Sequence, residues 1–223
     1  FGIPRRPAAN PGAPFPWTGP IRTIRDLVDT RHDPLLAIAI AANILIWFIG
    51  SLEILLINPM GLQEFGLTQT STSFLIVAQL VGIAVGGLLS GWLVKPEAWH
   101  RVLGPSGIAM GMLMMLMCLV PDNPGLWRVP VLFALVGLMG IAAGIFLIPL
   151  ESTLQIRPPA ARKGAILSAV NFIVFGGIMI SGLVSNWLND IFEPTASFFI
   201  VGAGLAAAGL GLLYGFGRIA PRK

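Results

Sequence analysis

Six stretches of the chain are continuously apolar and show no amphipathic face: 34–57, 70–94, 102–120, 129–156, 164–188 and 196–217. Each holds about the 20 residues that an α-helix needs to cross a bilayer, and helices of soluble domains are not apolar all round. Short polar connections separate the runs, so the six helices they predict run antiparallel to their neighbours. Ahead of them, residues 1–33 are rich in proline and lack apolar periodicity until 21–28. This stretch is expected to be an extended linker. Residues 21–28 form either a short interfacial helix, with Arg22 and Arg25 near lipid headgroups, or a solvated turn. The spans make up one domain over 34–217, and 218–223 is a basic tail. The chain opens at Phe1 without a signal-peptide pattern and is expected to be a piece of something longer.

Polar residues inside the runs are few and unevenly spread. The first run carries Asn43, Ser51 and Glu53, the second Gln79, the fourth Glu151 and Gln155, and the fifth Asn171 and Ser181. The third has Ser106 and Cys118 beside a methionine run, and the sixth has only Ser197 and Tyr214 near its ends. A polar group in hydrocarbon is costly unless it is paired or faces water, so runs one, two, four and five are expected to line a cavity or each other. That three-plus-three pattern fits two inverted-topology triplets, an all-α membrane fold of six transmembrane helices. Frequent glycine pairs at four-residue spacing (Gly82/Gly86, Gly87/Gly91, Gly107/Gly111, Gly140/Gly144, Gly211/Gly215) imply either sliding contacts or ordinary close packing.

Charge adds orientation. Of the 14 basic residues, all but Arg128 fall on one side of the predicted bundle, while Glu64, Asp122, Asp190 and Glu193 fall with Arg128 on the other. By the positive-inside rule the rich side is cytoplasmic, and both termini with it. Trp92, Trp99, Trp127 and Trp187 sit near run ends, as an aromatic belt requires, whereas Trp47 is near the middle of the first run. Only 11% of residues are charged, against about 25% in soluble domains. Mean hydropathy is +0.83 and the pI is about 10.0. The basic residues cluster at helix ends and not on one soluble face, which argues against nucleic acid as a partner. A single cysteine excludes a disulfide framework.

Candidate chemistry is sparse. His32 and His100 have no metal-ligand company, and no nucleophile–base set, phosphate-cradling loop or catalytic carboxylate pair appears, so no cofactor and no enzymatic activity are expected. Asn43, Trp47, Gln79 and Asn171 are the candidate cavity residues. Glu53, Glu151, Arg162 and Lys163 are candidate gate residues. Glu53 lies about 6 Å from the end of its run, as an outer-gate or proton-linked acid or as a snorkelling carboxylate. Glu151 precedes the basic hairpin of Arg157, Arg162 and Lys163 and is expected either to pair with Arg162 or Lys163 at the cytoplasmic mouth or to line the cavity.

Several motifs carry a resemblance. PAANP (Pro7–Pro11), FPW (Phe15–Trp17), WFIG (Trp47–Gly50), GLTQTSTS (Gly66–Ser73), GIAVGGLLSG (Gly82–Gly91), Gly104-Pro105, IPLESTLQ (Ile148–Gln155), RPPAARKG and AVNF together look like the C-terminal half of a major facilitator superfamily transporter. They resemble its lysophospholipid transporter branch, which is associated with or fused to a glycerophospholipid acyltransferase. The resemblance implies half of a major facilitator fold in a bacterial inner membrane. Its partners would be membrane lipid, an N-terminal six-helix half of the same parent chain and an acyltransferase. Its activity would be transport of a lysophospholipid or another amphipathic lipid. A small-solute or drug transporter of the same fold, or a non-transporting scaffold for a partner enzyme, would share these features. The chain departs from the branch in having Glu151 where an amide is usual and Lys163 between Arg162 and Gly164. Its KPEAWHRVLG loop also lacks the superfamily's Asp-Arg core.

Overall fold

The computed structural model describes residues 25, 30–121, 125–160 and 162–219. The expected linker and interfacial helix over 1–29 lie outside the described residues save Arg25, as does the tail from 220 onward. Helix α1 (Pro34–Pro59) opens on Asp33, whose carboxylate accepts the Leu36 N–H at 3.2 Å, with proline at the first position, where an N–H would go unused. It does not end at 57 as expected. It runs on as a π turn over Met60–Glu64, closed by the Phe65 N–H on the Met60 carbonyl at 3.0 Å. Pro59 looks like a stop in sequence, but so near a helix end the wider turn accommodates its ring. Burial of Met60, Gly61 and Phe65 holds the turn in place.

Helix α2 (Gln69–Leu93) is capped by Thr68, whose hydroxyl accepts the Ser71 N–H. Then come α3 (His100–Leu116, continued by a 3₁₀ turn over Met117–Leu119), α4 (Arg128–Ile156), α5 (Lys163–Ile191) and α6 (Pro194–Ile219). Among the described residues these six helices are long and apolar enough to cross a membrane. Helices α5 and α6 each overrun their expected ends by a few residues, because frayed polar ends carry no apolar signal.

The most extensive packing joins α2 to α4, α3 to α6 and α1 to α5, followed by α3 with α4 and α1 with α6. Exchanging α1–α3 for α4–α6 leaves that list unchanged. Helices α2 and α4 meet backbone to backbone: a Cβ on Gly82, Gly86, Gly140 or Gly144 would overlap the carbonyl oxygen of Gly137, Ile141, Gln79 or Ile83 respectively. Gly111 and Gly202 make the same kind of approach between α3 and α6, while Gly91 and Gly211 face open space. The methionines of α3 divide, with Met110, Met114 and Met117 buried and Met112 exposed. Trp92 and Trp127 are exposed near helix ends, but Trp99 is buried and packs edge-on against Phe216, so the expected belt position is filled there by a core contact.

Candidate functional site

Gln79, Glu151 and Ser181, from three different spans, meet polar residues of α1. Asn43 and Trp47, one turn apart on α1, both donate to the same oxygen of Glu151 on α4, from Nδ2 at 2.7 Å and from Nε1 at 3.1 Å. Glu151 is half-buried, and among the described residues its second oxygen accepts no bond. One turn further along α1, the Ser51 and Ser181 hydroxyls share a hydrogen bond of 2.8 Å, tying α1 to α5. Glu53 is fully buried and neither carboxylate oxygen has a hydrogen-bond partner, although the Gln79 amide on α2 approaches it. From Asn43 to Glu53 is ten residues, so this seam runs about 15 Å along α1. It faces α4, α5 and α2 in turn.

Three expectations are corrected here. Glu151 pairs with neither Arg162 nor Lys163; its carboxylate instead accepts from two neutral N–H donors of α1, the Asn43 amide and the Trp47 indole. Glu53 does not snorkel. Because α1 extends to Glu64, Glu53 is eleven residues from the end, about 16 Å, too far for a carboxylate to reach water along its own helix. Asn171 does not join the other amides: it is exposed on α5 and makes no side-chain hydrogen bond among the described residues, while its neighbours Ala169 and Val170 take the buried positions. Gln79 and Asn43 are buried; Trp47 remains 41% exposed, with Ile54 exposed seven residues on, along one uncovered stripe of α1.

The ends of α1 are tied as well. At the basic end, Arg157 of the hairpin donates from Nε and Nη2 to the two oxygens of Asp33, both at 2.8 Å. The guanidinium holds the Asp33 carboxyl below its ordinary range. At the other end the Arg128 Nη2 donates to the Phe65 carbonyl at 2.7 Å and the guanidinium lies over the Phe65 ring. Glu64 accepts from the Thr195 N–H at 2.9 Å and from its hydroxyl. In the sequence Asp33 falls inside the stretch expected to be linker, and Glu64 and Arg128 enter only as charges that set orientation. The one usable signal was that Arg128 is the sole basic residue on its side. Helices α1 and α4 pack only lightly along their length. Among the described residues, three polar ties hold them together, one at each end and one at Glu151.

The chain is similar to a triacylglyceride transporter. That protein, from Mycolicibacterium smegmatis, is 27% identical over 175 residues, which cover 74% of this chain and 31% of the relative. The chain therefore spans only about a third of that relative's length. No protein-family model matches the chain, and no solved structure matches it. With six membrane-length apolar helices and a transporter as relative, the chain is an integral membrane protein.

Proposed function

We propose that the chain is half of a major facilitator transporter or flippase that moves an amphipathic lipid, and that it is not an enzyme. The observation that carries this is the polar seam: two acids, two amides, an indole and paired hydroxyls placed at depth on α1, α2, α4 and α5, among otherwise apolar helices. Intramembrane polar groups of this kind mark substrate pathways. The packing list that survives exchange of the two triplets supports the inverted-repeat arrangement, and the similarity to a triacylglyceride transporter supports a lipid cargo. In this proposal Trp47 and the free oxygen of Glu151 border the pathway, and Asn171 meets the N-terminal half of the parent protein. The basic end lies at the cytoplasm of a bacterial inner membrane. The lysophospholipid branch and its acyltransferase partner belong to the same proposal and rest on the motif resemblance.

Reconstituting the intact parent protein and following transfer of labelled lysophospholipid tests it. Glu151→Gln and Asn43→Leu are each expected to cut transfer about tenfold or more while leaving insertion intact. Unchanged transfer in both variants would remove the seam from the pathway.

A further inference from the structure

We propose that a second site, separate from the seam, binds the phosphate headgroup of an anionic glycerophospholipid at the basic end of the bundle. A cleft of about 440 Å³ opens there between the ends of α2 and α4. Its inner lining is buried Ser90, Pro149 and Trp99, and its outer lining is exposed Ser152, Lys95 and Arg157. That volume lies in the range of small-ligand sites.

The two cations are both available to an anion. Lys95 makes no ion pair or hydrogen bond among the described residues. Arg157 gives Nε and Nη2 to Asp33, which leaves the Nη1 donors of its five-donor fork unused by that pair. Ser152, exposed and five residues before Arg157 on α4, lines the same cleft. Phosphate is the ligand class that such a cation pair with hydroxyl donors recognises.

A lipid source follows from what borders the cleft. Leu93 is 74% exposed, Trp92 84% and Ile156 76%, immediately beside Val94, Lys95 and Arg157. The cations thus stand on the border between a lipid-facing apolar surface and water, which is where headgroup phosphates lie. The phosphate would sit between Lys95 and Arg157, with an acyl chain along Leu93 and Ile156. This site is independent of the transport proposal, since lipid transfer is not its readout.

The test is lipid retention by the purified intact protein in neutral detergent, read by native mass spectrometry after exposure to phosphatidylglycerol or phosphatidylcholine. Wild type is expected to retain phosphatidylglycerol in preference. Lys95→Gln should lower that retention about fivefold. Arg218→Gln, at the same end but outside the cleft, should leave it unchanged. Equal losses in both variants would mean diffuse charge attraction and overturn the site. Displacement of the lipid by millimolar inorganic phosphate would overturn the lipid assignment in favour of free phosphate. Independently of any variant, phosphatidylglycerol with a photoreactive acyl chain should label wild type at Leu93 and Ile156; labelling confined to other helices would overturn the proposal.

Discussion

Asp33 serves two partners at once, capping α1 and holding the hairpin through Arg157. The two roles separate by substitution. Asn keeps an acceptor for the Leu36 N–H but loses the ion pair, while Ala loses both. Because the folded carboxyl titrates below its ordinary value of 3.8, the pair contributes stability above about pH 4 and loses it as pH falls through the lower folded value. Both side chains are about a third exposed, so the contribution is only about 0.3–0.5 kcal/mol. Thermal melts of wild type and Asp33→Asn in detergent should differ slightly at pH 7 and converge as the pH falls well below the ordinary value of 3.8; a constant offset would assign the effect elsewhere. Glu53 is the opposite case, a buried acid whose oxygens lack partners. Glu53→Leu is expected to raise stability by about 1–3 kcal/mol, since an unsatisfied polar group is replaced by an apolar one. A fall in melting temperature would show that the carboxylate has a stabilising partner. At this scale the sequence was legible in part. The cost of polarity in hydrocarbon marks Asn43, Gln79, Glu151 and Asn171 as inward residues; it misplaces Asn171, which is exposed, and it does not say which of the others meets which. Glu151 and Asn43 are 108 residues apart, and Arg157 and Asp33 are 124 apart. Chain proximity favoured Arg162 instead.

Hydropathy made all six helices legible, because a bilayer demands length and apolarity without asking for a face. It missed the π extension of α1, where tertiary burial of Met60 and Phe65 outweighs the punctuation of Asn58-Pro59. It also left the glycine pairs ambiguous, since spacing alone does not reveal whether a partner backbone is opposite. The contacts of Gly86 and Gly140 resolve this for α2 and α4. Gly86→Val or Gly140→Val should destabilise the protein by about 1–3 kcal/mol or more, because the intruding atoms meet carbonyls and not flexible side chains. Gly182→Val, on α5 in open space, is the control and should be near neutral. Equal melting temperatures for all three would contradict the interlock.

For the molecule as a whole, alternating spans and one-sided charge place the α3–α4 connection and the α4–α5 hairpin on opposite faces of the membrane. Single cysteines at Gly125 and Ala160, in a Cys118→Ser background, should be labelled from opposite sides by an impermeant reagent; labelling of both from one side would refute the six-span topology. The partition of helices was less legible than their number, since it depends on which surfaces interlock. Helices α2 and α4 have carbonyls seated where side chains would otherwise be, so the pair has almost no compliance in shear: a slide of even a fraction of a residue drives backbone into backbone. It should therefore behave as one stiff bar. Helices α1 and α4, joined by hydrogen bonds at three heights and little else, form the yielding contact beside it. Strain applied at either end of the bundle would then be absorbed by breaking discrete bonds along α1, one at a time, and not by deforming the bar.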